Sequence, residues 1–273
     1  MMETLVASNL QGMPGVDLQN LMGWLARYFL VSIRMAAFFL AAPFFGARYI
    51  SPNIRIVFAM VVAMFVFPRV DVPTAEVIIS GYGLMMILAE LVFGVGCGLI
   101  IYIWFTAAAL AGEKIATSAG LGFATQMDPN SSGQTPVVSQ VLTLFLTVIF
   151  LSLNGHLVVI GMMLESYNHL PVGAMGDISV LIDGGIAAAG YMFLTATMIM
   201  LPVVTLLLMI NITIGIITRS APQLNLFSFG FPISLLGVFV ILFLSTSNLG
   251  YALSDLVQEI LNHFESIMEG VNG

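Results

Sequence analysis

Residues 77–112 read VIISGYGLMMILAELVFGVGCGLIIYIWFTAAALAG, and Glu90 is the one charged side chain among them. Crossing the hydrocarbon core takes about 20 apolar residues, so this run is longer than a membrane span needs. The rest of the 273-residue chain has the same character, with 59% hydrophobic residues, 8% charged and a mean hydropathy of +1.06. Soluble domains carry roughly a quarter charged residues, so this chain lacks the polar side chains to cover a water-facing surface. It reads as an integral membrane protein. Backbone groups in lipid must bond internally, and no alternating barrel-strand pattern is present, so the segments are helices. The expected fold class is all-α, of the polytopic membrane-protein type, with about six long helices in hairpins.

Working outward, six apolar stretches appear: Leu18–Phe45, Ile54–Phe67, Val77–Gly112, Val137–Leu164, Gly184–Thr218 and Phe231–Leu253. Turn residues separate them, among them Gly46 to Pro52, Pro68 to Pro73, the Asp128–Gln134 run, Pro171 with Gly173, and Ala221-Pro222-Gln223. Arg48, Arg55, Lys114 and Arg219 fall in alternate links, whereas the other links and both ends are acidic or mixed. Basic links stay cytoplasmic, which places both termini outside. The lengths are uneven: the second stretch is short for a span, and the third and fifth are far too long. Tilt or a kink at Pro202 absorbs part of this; burial against protein outside the bilayer absorbs more.

Composition excludes several functions. A net charge of −7 leaves no basic stripe for nucleic acid. Cys97 is the single cysteine, so neither a disulfide framework nor a cysteine-ligated metal is expected. His156, His169 and His263 lack ligand spacing, and no nucleophile–base or HExxH arrangement occurs, so neither metal, cofactor nor enzymatic activity is expected. The first 17 residues carry no basic residue and lack a signal peptide's n-region.

The candidate functional residues are those that cost most in lipid. Arg27 and Arg34 lie seven apart on one face of the first helix, and Glu90 interrupts the third. They either line a conduit or make structural pairs, with Arg27 snorkelling to the interface. Gly94 and Gly98 give a small-residue face for close helix contact. Asn154, His156 and Asn211 are polar groups at depth, suited to bonds between helices. The stretch from Gly120 to Pro129 mixes glycines with Leu121, Phe123 and Met127; such side chains either close a constriction or pack as a re-entrant core.

Four stretches together resemble the FliR family, the single-copy core subunit of the flagellar type III secretion export gate. They are Arg34 with Ala42-Pro43-Phe44-Phe45-Gly46, Pro52 and Arg55; Ala111-Gly112-Glu113 leading to Gly122-Phe123-Ala124 and Asp128-Pro129; Asn154-Gly155-His156 with Ser166-Tyr167 and Leu170-Pro171; and Arg219-Ser220-Ala221-Pro222-Gln223-Leu224-Asn225 with Gly230-Phe231-Pro232. The resemblance implies one export-gate subunit over 1–273. Within it, 18–183 would be FliP-like, 184–255 a FliQ-like hairpin and 256–273 a C-terminal tail. It implies assembly with FliP and FliQ into a right-handed helical complex in the bacterial inner membrane and flagellar basal body, with FlhB at its cytoplasmic side. Unfolded rod, hook and filament proteins would be the cargo.

The resemblance also assigns roles by position. Gly120, Leu121, Gly122, Phe123, Ala124, Met127, Asp128 and Pro129 would plug the channel, and Arg219, Pro222, Gln223 and Asn225 would form the cytoplasmic-side hairpin tip. Leu157 stands where some relatives have a second histidine, so a histidine pair is not carried over. The rival expectation is a secondary transporter of a small solute using Glu90 and the Pro202 break, which requires paired broken helices; no such pairs are visible in the sequence.

Overall fold

The computed structural model describes residues 18–45, 51–120, 136–174, 176–221 and 230–270, and among these no strand forms. The helices are α1 (Leu18–Ala41), α2 (Pro52–Val66), α3 (Ala75–Ile79), α4 (Gly81–Ser118), α5 (Val137–Ser152), α6 (Gly155–His169), α7 (Ile178–Ser220), α8 (Phe231–Leu244) and α9 (Thr246–Gly270), with a short 3-10 turn at Phe67–Arg69. The chain is an all-α, polytopic membrane protein. Four helices are long and apolar enough to cross a membrane, or up to six if each of two bent pairs is one span.

Sequence chemistry explains the ends. α2 starts on Pro52, whose fixed φ suits a first helical turn, and gives way to the 3-10 turn at Phe67-Pro68. Asp177 accepts the backbone N–H of Ser179 at 2.9 Å, capping the start of α7. α4 runs 38 residues without a break, and α7 runs 43 and continues through Pro202 as one helix.

Two stretches that look continuous in sequence are bent. α5 and α6 meet at 66°, because Asn154 takes a left-handed φ of 56° and Gly155 slides beneath the Phe150 ring. A Cβ at 155 would sit 2.6 Å from that ring. α8 and α9 also meet at 66°, across Ser245. There the Thr246 hydroxyl donates to the Leu242 and Phe243 carbonyls at the end of α8. Beyond Leu253 the chain stays helical to Gly270, so residues from 256 onward continue α9.

Two compact units form. The first takes its described residues from Met1–Leu99, Met162–Leu181 and Met268–Gly273. Its core is Leu30, Val31, Met35, Phe38 and Phe39 of α1 with Phe93 and Cys97 of α4. The second comprises Ile100–Gly161 and Ile182–Ile267, with Trp104, Phe105, Leu146, Phe150, Ile260 and Phe264 buried.

Candidate functional site

Arg34 and Glu90 meet in the first unit, both essentially inaccessible to water. Arg34 donates from Nε to Glu90 Oε2 at 2.7 Å and from Nη2 to Oε1 at 3.0 Å, a forked pair. Two more of its five N–H donors are used: Nη1 reaches Ser166 Oγ at 3.1 Å, and Nη2 also reaches the Leu170 carbonyl at 3.0 Å. Glu90 Oε1 accepts the Gly173 N–H at 2.8 Å. The guanidinium lies over the Phe93 and Tyr167 rings, 4.9 and 4.2 Å from their centroids. Tyr167 in turn donates to the Val31 carbonyl.

This network ties α1, α4, α6 and the 170–174 turn together. A buried ion pair repays its desolvation only when the remaining donors and acceptors are met; here every side-chain nitrogen of Arg34 and both oxygens of Glu90 have a hydrogen-bond partner. Gly173 has φ +80°, and a Cβ there would strike the Met86 side chain at 2.6 Å, so the turn that presents its N–H to Glu90 requires glycine. Ser166 and Gly173 were not singled out in sequence as polar partners. Ser166 belongs to the Ser166-Tyr167 motif, and Gly173 has only its closeness to Leu170-Pro171 as a signal.

Gly94 lets α4 approach α1 just beneath this pair. A Cβ at Gly94 would lie 2.4 Å from the Arg34 carbonyl oxygen, and one at Gly98 2.6 Å from the Ala41 Cβ. Arg27 sits elsewhere in the unit, donating from Nη2 to the Val72 carbonyl at 3.1 Å, with its buried Nε unpartnered. Beside it along α1, Trp24 stacks on Tyr28, and both meet Phe67 edge-on.

The second unit gathers the other polar candidates. Asn211 of α7 donates to the Ser118 carbonyl at 3.2 Å, capping the end of α4, and accepts from the Ser234 hydroxyl of α8 at 2.9 Å. α4 then closes at Gly120 with φ +80°. Leu121, Gly122, Phe123, Ala124, Met127, Asp128 and Pro129 lie outside the described residues, as do Pro222, Gln223 and Asn225; Arg219 is exposed in the last turn of α7. Asn154 occupies the α5–α6 bend, and the neighbouring His156 has a buried Nδ1 without a partner. Among the described residues no cluster of histidine, cysteine or carboxylate side chains is arranged to hold a metal ion. At Gly112, a Cβ would sit 2.4 Å from the Ser139 Cα, the close α4–α5 approach, and Ser139 donates to the Ala109 carbonyl there.

The model of bacterial export proteins, family 1, matches residues 25–260. The chain belongs to this family, that of FliR. The flagellar biosynthetic protein FliR of Pectobacterium carotovorum is 33% identical over 216 residues, 79% of this chain and 82% of the relative. FliR of Escherichia coli K12 is 31% identical over 223 residues, covering 81% and 84%, and FliR of Bacillus subtilis 168 is 30% identical over 226, covering 81% and 86%. The matched span includes the whole Arg34–Glu90 network and both bends.

Proposed function

We propose that this flagellar biosynthetic export protein is a structural, channel-forming subunit of the type III export gate, assembled with FliP and FliQ and passing unfolded rod, hook and filament proteins across the inner membrane. The observation that carries this reading is the exposed apolar length of α7. Large hydrophobic side chains stay exposed from Ile178 through Phe193 and Leu208 to Ile217. At 1.5 Å per residue that face is roughly 60 Å long, against about 30 Å of hydrocarbon. Even tilted by about 40° it would still rise about 45 Å through the membrane. Lipid covers half or so of it, and protein neighbours are the remaining apolar solvent.

Within this reading, residues 120–129 are the channel plug, and the Asn211–Ser118 bond pins the helix that leads into it. Residues 219–225 are the cytoplasmic-side tip, near FlhB, and the chain works in the flagellar basal body as a passive conduit. The FliP-like (18–183) and FliQ-like (184–255) division belongs to the same proposal.

The transporter reading gains one observation, the two bent helix pairs. The groove beside the α8–α9 bend, about 470 Å³, is lined by apolar residues such as Phe145, Phe239 and Phe243, with Thr246 as its polar member. Glu90, the acid that reading needs, is already engaged by Arg34 and Gly173. The export reading therefore explains more of the chain. Co-expression with FliP and FliQ tests it: one complex of fixed stoichiometry with a single copy of this chain is expected, and a chain that purifies alone would overturn it. In that complex, glycine at positions 121, 123 and 127 should raise ion leak; unchanged conductance with assembly intact would remove the plug assignment.

A further inference from the structure

A second buried polar contact lies in the second unit. Trp104 of α4 is almost wholly buried, and its indole N–H donates to Nδ1 of His263 on α9 at 3.3 Å. Tyr191 of α7 stacks on Trp104 with ring centroids 5.3 Å apart, and its ring lies 5.9 Å from that of His263. A buried indole N–H needs an acceptor. Nδ1 can accept only while the imidazole is neutral with its proton on Nε2; protonation turns both ring nitrogens into donors and removes the bond.

The surroundings give the charged imidazole somewhere else to go. α9 buries Leu256, Val257, Ile260, Phe264 and Ile267 and exposes Asp255, Glu259, Asn262, Glu265 and Glu269. His263 sits half-buried on the boundary between the two faces; burial holds its ring below the ordinary histidine range, and the charge of Glu259, one helical turn away, offsets this only in part. On α7 the titratable groups along the contact are Tyr191 and, two turns earlier, the exposed Asp183. On α4 they are the exposed Tyr102 and, more than two turns beyond Trp104, Glu113 and Lys114.

We propose that the Trp104–His263 bond is a proton-operated latch: neutral His263 holds α9 onto α4 and α7, and the protonated ring turns to Glu259 and frees the helix. The test is hydrogen exchange of the full-length protein in its membrane or complex, at about pH 7.5 and about pH 5.0, the acid value being set low because burial holds this imidazole below the ordinary histidine range. After correction for intrinsic rates, amides in 256–268 should exchange on the order of tenfold faster at the acid value, the effect of stranding one buried donor. His263→Gln keeps an acceptor that does not titrate, and it should exchange alike at both values. Trp104→Phe, which has no donor to strand, should also lose the acid response and serves if the glutamine variant fails to fold. A wild-type chain indifferent to pH, or an acid response that survives in either variant, would overturn the latch.

Discussion

Glu90→Gln keeps the side chain's size, removes its charge and leaves the buried Arg34 cation without a carboxylate. Removing one partner of such a pair costs about 3–5 kcal/mol. Arg34→Met strands Glu90 instead, at a similar cost. The double variant Arg34→Met/Glu90→Leu abolishes both charges and leaves two backbone groups orphaned, the Leu170 carbonyl and the Gly173 N–H. At about 1–3 kcal/mol each, that amounts to about 2–6 kcal/mol. Two independent sites would instead add to about 6–10 kcal/mol. The chain carries its own reporter: Cys97 is its single cysteine, fully buried on α4 in the same unit as the pair. A fluorogenic maleimide labels it only when that unit opens. Each single variant should lower the temperature of half-labelling by roughly 6–20 °C, at about 2–4 °C per kcal/mol for a chain of this size. The double should fall clearly short of the sum of Arg34→Met and the single variant Glu90→Leu measured alongside it. A strictly additive double, or Glu90→Gln labelled at the wild-type temperature, would refute the reasoning.

Gly94→Ala drives a Cβ into the Arg34 carbonyl and should cost about 1–3 kcal/mol in the same assay, whereas Gly161→Ala, on the open face of α6, should gain up to about 1 kcal/mol. Asn211→Ala removes the cap on Ser118 and the partner of Ser234; it should cost about 1 kcal/mol and speed amide exchange near the end of α4. Hydrogen bonds from the Ser179 side chain and N–H hold the exposed Asp177 carboxyl below its ordinary range. Its contribution is therefore complete above the usual carboxylate range and is lost as pH falls through the depressed folded value. Asp177→Asn should flatten that acid limb of thermal melts followed by circular dichroism.

Helical class and membrane character were legible because composition alone decides them: a run such as 77–112 has no soluble use. Arg34 and Glu90 were legible as candidates because charge in an apolar run is costly. Their pairing was not, since 56 positions separate them and hydropathy carries no long-range information. The bends were hidden for a related reason. Asn154-Gly155 and the Ser245–Asn248 cluster are brief polar interruptions inside apolar stretches, and bulk hydropathy averages across them. The last turns of α9 lack a continuous apolar run because acidic residues dilute their hydropathy. The apolar spacing of Leu256, Ile260, Phe264 and Ile267 still marks an amphipathic helix, and the structure buries that face.

The central claim is that α7 is covered by protein along more length than a bilayer can supply. Photo-crosslinking amino acids placed one at a time at Ile182, Met198 and Ile216, exposed near both ends and the middle of that helix, test it in living membranes. Other gate subunits should be captured at both ends of α7. Capture of lipid alone at the middle with no protein adduct at either end would contradict it.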